Sequence, residues 1–289
     1  MDPGSAVAAL VDTDRYPVDD LASPRARRVI ADARTQLQDR GAAELTGFVH
    51  EAGVELLVRD AEALAVRGHH SAGLATPYLE IPADHWPAGH PRVHLEPYGV
   101  SAVGYDVIPR ESPLRALYDS DAVMRFVEAV LDRGELHRYA DPCGALNLAV
   151  MGRGDALQWH FDQTDFVVSL AIQSAEDGGT FDVAPRVRTA HDERYDDVGE
   201  VLAGRDTSVV TLPMVPGTLL VFEGRHSLHR VSSVAGGRLR HVGLLAYDTH
   251  PATTGSELLR LVRYGRSVAF AEPPHAWPPA TGVDAAGTP

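Results

Sequence analysis

The sequence predicts an α+β, mostly β protein in which a helical layer packs on an antiparallel sandwich or barrel. Three observations support this prediction. Apolar residues follow helical spacing through the first half of the chain. From about Gly144 they form short runs bounded by Gly, Pro or polar turns. Finally, 44% of the 289 residues are hydrophobic and 23% are charged, which suits one large domain with a sizeable core.

Three helices are predicted before the strands begin. Ser23 and Pro24 are typical of an N-cap and a first helical position, and Gly41 is a typical helix stop. A second capped apolar stripe begins at Ser120 and ends at Gly134. We expect partly ordered residues over 1–22, helices over 23–41, 53–67 and 120–134, and irregular structure over 69–112 with one or two strands, for example 99–107.

The second half is predicted to consist of strands over 145–151, 166–173, 180–183, 208–212, 218–222, 228–232 and 240–247. A charged insert over 185–207 interrupts them and is expected to hold a short helix near 198–202. Either a lid over a binding site or a solvated surface excursion fits this insert. A last helix is expected over 254–263, before a Pro- and Ala-rich flexible tail over 267–289.

Charge and composition argue against several classes of function. The formal net charge of −14 disfavours binding to nucleic acid or to an anionic membrane, since both need clustered Lys and Arg. No apolar run approaches the roughly 18 residues of a membrane-spanning helix. Cys143 is the single cysteine, so no disulfide forms within the chain, and with no signal peptide in view we expect a cytoplasmic protein.

The stretch 158–165 places a histidine and a carboxylate two residues apart, at His160 and Asp162. In a β-strand these side chains point to one face, while Trp159 and Phe161 point to the other. An imidazole nitrogen and a carboxylate oxygen that converge suit a divalent metal such as iron(II). Taken alone, the pair is equally compatible with a chance match or a hydrogen-bonded surface pair.

A metal at this pair needs a third ligand, and the best candidates lie roughly 70 residues downstream. His226 and His229 both follow the apolar run 218–222. His229 is the preferred ligand and His226 the alternative. Arg238 and Arg240 come about ten residues later, at the start of the next apolar strand.

Together these residues resemble the iron(II)- and 2-oxoglutarate-dependent oxygenases over roughly residues 143–248. The resemblance includes His160-x-Asp162, a distant His229-Arg-Val, an arginine at the start of the next strand, and a Gly-Gly turn at Gly178-Gly179. The helical first half and the closing residues 263–266 further resemble bacterial enzymes that act on free amino acids. That subgroup contains radical halogenases and related hydroxylases.

The resemblance implies a double-stranded β-helix, a cupin-like jelly roll whose mouth holds the iron. It also divides the single domain of residues 1–289 into parts. These are a helical N-terminal support region over 1–135, a catalytic core over 143–248 with the insert 185–207, a C-terminal helix region over 249–266 and the tail 267–289.

The resemblance further implies catalytic roles. His160, Asp162 and His229 would ligate Fe(II), and 2-oxoglutarate and O2 would be the cosubstrates. The far carboxylate of 2-oxoglutarate needs a cation, and a guanidinium forms two parallel hydrogen bonds to a carboxylate. Arg240 is the first choice and Arg238 the second. Asn147 or Ser232 would add a neutral hydrogen bond to the cosubstrate.

Asp162 also bears on the type of reaction. Family halogenases have Gly or Ala at this position, which leaves room for chloride, so a carboxylate predicts a hydroxylase. Desaturation, epoxidation and cyclisation use the same triad and stay open. The candidates for facing the substrate are Trp159, Gln163, Asp165 and Phe181, with Arg92 as a partner for a substrate carboxylate. Plainer roles, in a turn for Asp165 and in a salt bridge for Arg92, fit equally well.

The predicted partner is a small molecule, a free amino acid or a derivative of one, with no role for nucleic acid or membrane. The oligomeric state stays open, with a homodimer as one option. The main alternative is a cupin-like metal-binding protein without turnover. The Arg238 and Arg240 pair argues against it, because a plain metal site has no use for a buried guanidinium. A zinc hydrolase is a third option, disfavoured because no general base is evident.

Overall fold

The computed structural model describes residues 7–271, in which helices accompany two larger antiparallel sheets. The helices are α1 (Pro24–Arg40), α2 (Glu51–Ala65), α3 (Pro113–Asp119), α4 (Asp121–Leu131), α5 (Tyr195–Leu202) and α6 (Glu257–Tyr264). A 3-10 turn covers Pro91–Val93.

The strands pair in antiparallel fashion throughout the described residues. They are β1 (Ala42–Leu45), β2 (His69–Ala75), β3 (Glu96–Gly104), β4 (His137–Arg138), β5 (Leu146–Met151), β6 (Leu157–His160), β7 (Val167–Gln173), β8 (Asp177–Gly178), β9 (Phe181–Ala184), β10 (Val210–Leu212), β11 (Leu219–Phe222), β12 (Leu228–Val231), β13 (Val234–Ala235), β14 (Arg240–Leu245) and β15 (Tyr247–Asp248).

The larger sheet has the strand order β1-β11-β7-β14-β5-β3-β2, and the smaller sheet has the order β10-β9-β12-β6. Short ribbons join β13 to β8 and β15 to β4. Residues from both sheets meet in one apolar cluster, including Met151 and Leu220 from the larger sheet and Val183 and Val231 from the smaller. The two sheets therefore pack against each other.

Alternation along the strands gives the larger sheet two different buried faces. In β11, Leu219 and Val221 pack with the helices, whereas Leu220 and Phe222 pack toward the smaller sheet. The helix-facing side contacts the apolar stripes of the helices, for example Phe126 of α4. One face of the larger sheet thus packs with helices, and the other packs with the smaller sheet.

Helix ends follow the signals in the sequence. The Ser23 side chain accepts a hydrogen bond from the backbone of Ala26, and Gly41 adopts the left-handed conformation that ends α1. Ser120 caps α4 in the same way, although α4 ends at Leu131, before Gly134. These helix predictions are confirmed, as are the predicted strands of the second half, within a few residues at their ends.

Several predictions for the first half are wrong. Residues 7–22 are not loosely ordered, because Leu10, Val11 and Tyr16 are buried in the main core. Strand β1 and helix α3 were not predicted. β2 and β3 fit the one or two strands expected within 69–112, although only 99–107 was named. β1 is only four residues long, and most of β2 is exposed, so neither shows a clear apolar alternation. Residues 7–135 therefore contribute sheet strands as well as helices.

The insert 185–207 packs against the outer face of the smaller sheet. Its helix α5 places Val198 and Val201 in a cluster with Trp159, Phe161 and Leu228. The insert is therefore a packed element rather than a solvated excursion. No helix within residues 7–271 has the length and apolar character needed to cross a membrane. The predicted tail beyond residue 271 lies outside the described residues.

Candidate metal centre

Two buried histidines lie opposite each other on neighbouring strands of the smaller sheet. His160 ends β6 and His229 lies in β12, and the two are paired in the antiparallel register. Their ring centroids are 4.3 Å apart. Directly opposed residues of an antiparallel pair point to the same face, so the register brings together two side chains that are far apart in sequence.

Backbone hydrogen bonds fix how both rings point. His160 Nδ1 lies 2.7 Å from the carbonyl oxygen of Gln158, and His229 Nδ1 lies 2.9 Å from that of Ser227. A carbonyl only accepts, so each Nδ1 carries a proton. In the neutral tautomer with this proton, Nε2 offers its lone pair, which is the arrangement typical of a histidine that binds a metal.

Asp162 follows β6 and completes the cluster. Its Oδ1 lies 3.9 Å from His160 Nε2, and its Oδ2 lies 3.3 Å from His229 Nε2. Oδ2 is buried and has no hydrogen-bond partner among residues 7–271. Three electron-pair donors thus converge without a proton between them, and a divalent cation would satisfy all three. Two imidazoles and one carboxylate are the ligand set typical of non-haem iron(II).

Within the described residues this is the one group of three or more His, Cys, Asp or Glu side chains close enough to share a metal ion, with ligand atoms within 4.8 Å of one another. The alternative ligand His226 lies in the turn before β12 and does not belong to it. The histidines of residues 69–94 also lie outside the group. His70, for example, is paired with Asp155.

Burial keeps the His160 ring uncharged. Burial, followed by the nearby His229, lowers the pKa of His160 to about 4, while Asp162 opposes the shift. The ring is therefore neutral at physiological pH and ready to bind a cation without first losing a proton.

Gly224 is a part of the site that the sequence prediction missed. It lies in the turn between β11 and β12, and its carbonyl accepts a hydrogen bond of 3.0 Å from the Asp162 backbone. A Cβ at this position would overlap Oδ2 of Asp162 and lie 2.9 Å from its carboxyl carbon. Only glycine leaves room for the carboxylate, and no local signal in the sequence sets this turn glycine apart from others.

Aromatic rings form a wall beside the second histidine. Phe181 of β9 has its ring centroid 5.6 Å from that of His229, and Phe222 of β11 lies 4.9 Å away in an edge-on arrangement. Both belong to the cluster between the two sheets. Of the residues predicted to face the substrate, Phe181 is thus the one that packs against the triad.

Arg240 is buried at the start of β14, on the face of the larger sheet that looks toward the smaller one. Burial lowers the pKa of its guanidinium to about 10. Among residues 7–271, its side chain forms one hydrogen bond, 3.8 Å long, to the Met151 sulfur, and no carboxylate pairs with it. An unpaired buried guanidinium is costly, so this one indicates a site for an anion.

The other predicted cosubstrate residues differ from Arg240. Arg238 is exposed, and it donates hydrogen bonds to the carbonyl oxygens of Ser174 and Ala175. Asn147 alternates with Ala149 and Met151 along β5, so it lies on the same face as Arg240. Ser232 has its hydroxyl engaged by Thr180 at the end of β12.

Trp159 points away from the metal centre. It packs with Phe161 and the insert helix on the outer face of the smaller sheet, opposite His160. Trp159 and Phe161 thus lie on the face opposite His160, as the alternation along a strand predicted. Trp159 therefore does not point into the space in front of the triad.

The remaining predicted substrate residues are held by charged neighbours. Asp165 is exposed and pairs with Arg225, which also donates to the Gln163 carbonyl. Arg92 donates 2.8 Å to the Tyr195 hydroxyl and 2.5 Å to Glu80, and its charge lies 4.3 Å from the centre of the Tyr78 ring. Arg92 thus ties residues 76–94 to the insert.

Comparisons with known proteins agree with this geometry. Residues 91–256 match the model of the family described as Halogenase D. The fold is similar to that of AviO1 from Streptomyces viridochromogenes Tue57, at 18% identity and a TM-score of 0.53, over 78% of this chain and 97% of that one. No curated protein matches the sequence.

Two structures from nogalamycin biosynthesis are also similar. SnoK, a non-haem α-ketoglutarate-dependent carbocyclase, has 12% identity and a TM-score of 0.53, over 75% of this chain and 82% of SnoK. SnoN, a non-haem α-ketoglutarate-dependent epimerase, has 11% identity and a TM-score of 0.52, over 77% of this chain and 83% of SnoN. At these identities the likeness concerns the fold.

Proposed function

The chain belongs to the Halogenase D family, and from that premise we propose that it is an iron(II)- and 2-oxoglutarate-dependent oxygenase that hydroxylates a small molecule. The observation that carries this proposal is the buried cluster of His160, Asp162 and His229, whose three electron-pair donors converge on one point. Iron(II), 2-oxoglutarate and O2 together supply an oxidant strong enough for an unactivated C–H bond, with release of succinate and CO2.

The protein supplies ligation, orientation and the exclusion of water. The hydrogen bonds from each Nδ1 hold the two imidazoles in one orientation, and the register of β6 and β12 sets their separation. Phe181 and Phe222 cover one side of His229. A rigid, partly apolar site keeps a reactive oxidant directed at the substrate rather than at the protein.

Arg240 is proposed to bind the far carboxylate of 2-oxoglutarate. Its support is that the guanidinium is buried, lacks a carboxylate partner among residues 7–271, and faces the space between the sheets. Arg238 is a weaker candidate because it is exposed and already bonded to two carbonyls. Asn147 lies on the correct face to assist, and the Thr180 contact of Ser232 leaves that hydroxyl less free.

Asp162 supports hydroxylation over halogenation, although the family is described as a halogenase. Its carboxylate would fill the ligand position that halogenases leave to chloride, and the absence of a Cβ on Gly224 leaves space for it. We further propose that the two sheets form a double-stranded β-helix, that the protein acts in the cytoplasm, and that the substrate is a free amino acid or a derivative.

A product screen tests this function. Anaerobically loaded protein would be mixed with 2-oxoglutarate and each common amino acid, then exposed to O2 in a chloride buffer. We expect one or a few amino acids to increase succinate release, with a product that gains one oxygen and no chlorine. His229→Ala should lose this turnover and His226→Ala should keep it. Iron binding without succinate release from any substrate would favour the non-catalytic metal-binding alternative.

A further inference from the structure

Strand β2 lies at one end of the larger sheet, and its outer edge carries hydrogen-bonding groups. The register pairs Ala72 of β2 with Gly99 of β3, yet the Gly99 amide donates 2.8 Å to Ala156 instead of to β2. This pair is therefore of the kind that exchanges no hydrogen bonds, and the N–H and C=O of Ala72 point away from β3. The alternation of an antiparallel ladder gives His70 and Leu74 the same outward orientation.

The edge of β2 has no protection against the addition of another strand. Such edges are normally guarded by charged side chains, proline or a bulge, and the seven residues of β2 contain none of these. Ala72, Gly73 and Leu74 are exposed, and two of them are small enough for another backbone to approach closely. No group within residues 7–271 bonds to the outward amides and carbonyls. An unguarded edge of this kind is where a further strand adds to a sheet.

Helix α6 lies at the start of β2 and shows its apolar side to the outside. Gly265, which ends α6, lies so close to His69 that a Cβ there would be 2.7 Å from the ring. Arg260 faces the protein and donates 3.1 Å to Asp141. The outward residues are apolar and between 40% and 67% exposed: Leu258, Leu259, Leu261 and Val262. A helix normally buries its apolar stripe, so α6 lacks a packing partner for this side within residues 7–271.

The other end of β2 leads into a second exposed apolar segment. Leu79 and Ile81 are 40% and 90% exposed. The two ends also differ in charge, because Arg67 precedes the strand and Asp84 follows the apolar pair. Neither of these charged residues forms an ion pair within residues 7–271. The start of β2 is therefore apolar and basic, and its end is apolar and acidic.

We propose that a second copy of this chain covers this surface, with β2 of one protomer added antiparallel to β2 of its partner about a twofold axis. The axis brings the start of one β2 beside the end of the other. Each α6 then meets the apolar segment of the partner, and each basic end meets an acidic end. The surface is thus complementary to itself, as a twofold homodimer requires. The proposal does not rest on the oxygenase function.

The size of this surface fits a stable dimer. The seven residues of β2, the eight of α6 and the six of 76–81 approach the roughly 20–30 residues that each side of a standard interface contributes. The register that pairs all the outward groups places Ala72 opposite its own copy and His70 opposite Leu74. Residues that exchange hydrogen bonds in this way have Cα atoms about 5.5 Å apart. The two larger sheets would then form one continuous sheet across the axis.

Gel filtration with light scattering tests the dimer. We expect the wild type to have twice the chain mass of 31.1 kDa. Ala72→Pro removes an outward amide without breaking a hydrogen bond to β3, and Leu261→Asp places a charge on the apolar side of α6. The axis puts each change into the interface twice, so each should weaken the dimer roughly tenfold to a hundredfold. A wild type that stays monomeric at every soluble concentration would overturn the proposal and leave the surface to a different protein.

Leu56→Asp is the matched control for the change in α6. Leu56 belongs to α2 in the helical layer and is 41% exposed, which is close to the 45% of Leu261. This variant should remain dimeric, and circular dichroism would show that all the variants are folded. If folded Ala72→Pro or Leu261→Asp dimerises as tightly as the wild type, the copies associate through another surface and the proposal fails.

A disulfide test measures the register of the two strands directly. Ala72→Cys would bring two sulfur atoms within reach of each other across the axis, because a disulfide needs Cα atoms about 4.4–6.8 Å apart. Oxidised glutathione should convert this variant to a covalent dimer that a reducing agent separates. Thr35→Cys, exposed in α1, should give no covalent dimer, and the native Cys143 is buried. Absence of the covalent dimer in Ala72→Cys would overturn the pairing of β2 with its copy.

Discussion

The two faces of the larger sheet are built from the same strands but for different purposes. On the helix-facing side, Leu148, Leu170 and Val221 are almost fully buried and pack into a large apolar core. On the other side, the space shared with the smaller sheet contains charged and polar groups, including Arg240 and His229. The period of two along a β-strand allows one element to serve stability on one face and chemistry on the other.

Small substitutions on the site-facing side should affect metal and cosubstrate binding more than they affect stability. Gly224→Ala would place a methyl group against the Asp162 carboxylate, so the carboxylate must move from its position between the histidines. We expect iron(II) affinity to fall at least about a hundredfold, the upper range for disturbed metal sites. Anaerobic calorimetry would measure it.

A matched glycine provides the control for that change. Gly199 lies in α5, and a Cβ there meets no atom within 4 Å. Gly199→Ala should therefore leave iron binding unchanged and stabilise the protein slightly, by up to about 1 kcal/mol. Equal iron affinity in Gly224→Ala and wild type would show that the crowding around Asp162 has no role in metal binding.

The helix-facing side should show the opposite pattern. Leu148→Ala would leave a cavity in the apolar core and is expected to lower the free energy of unfolding by about 2–5 kcal/mol. Iron and 2-oxoglutarate binding should persist in the protein that remains folded. Urea unfolding, together with the visible band, would separate the two effects. If Leu148→Ala lost the band but kept its stability, the helix-facing side would contribute to the site rather than to stability, which contradicts this comparison.

Arg240 lies on the site-facing side, and its replacement should raise the stability of the protein while it weakens cosubstrate binding. Arg240→Met keeps much of the volume but deletes a buried charge that lacks a carboxylate partner among residues 7–271. We expect the metal-free protein to gain about 1–2 kcal/mol in stability, as when buried charges are replaced by apolar groups. The affinity for 2-oxoglutarate should fall steeply. Thermal unfolding would measure the stability, and titration of the visible band would measure the affinity for 2-oxoglutarate. An unchanged affinity would mean that a residue other than Arg240 binds the far carboxylate of 2-oxoglutarate.

Gly179 should give the smallest of these effects. It has a φ of +63°, and a Cβ would lie 3.0 Å from Cδ of Arg240. Gly179→Ala should cost about 1–2 kcal/mol through its left-handed backbone, and it should also weaken 2-oxoglutarate binding modestly by displacing the guanidinium. Weaker 2-oxoglutarate binding with unchanged iron affinity would show that Gly179 acts on the cosubstrate site, whereas Gly224 acts on the metal site.

The sequence was sufficient for features encoded locally. The caps Ser23 and Ser120 marked where α1 and α4 begin, and Gly41 marked where α1 ends. His-x-Asp with a distant histidine predicted the cluster of His160, Asp162 and His229. Features that depend on distant contacts were missed. Nothing local distinguishes Gly224 from other turn glycines, because its role follows from where Asp162 lies. The choice between Arg238 and Arg240 needed their burial, which is a property of the assembled sheets.

The substrate side of the site was the hardest part to predict. Trp159 and Arg92 have suitable chemistry, but one packs on the outer face of the smaller sheet and the other is paired with Glu80.

The visible charge-transfer band of the anaerobic protein with Fe(II) and 2-oxoglutarate tests the central claim most directly. The wild type and His226→Ala should both show the band. His229→Ala should lose it, because the triad would then lack one of its two imidazoles. A band that survives in His229→Ala, or that disappears in His226→Ala instead, would contradict the assignment of His160, Asp162 and His229 as the iron site.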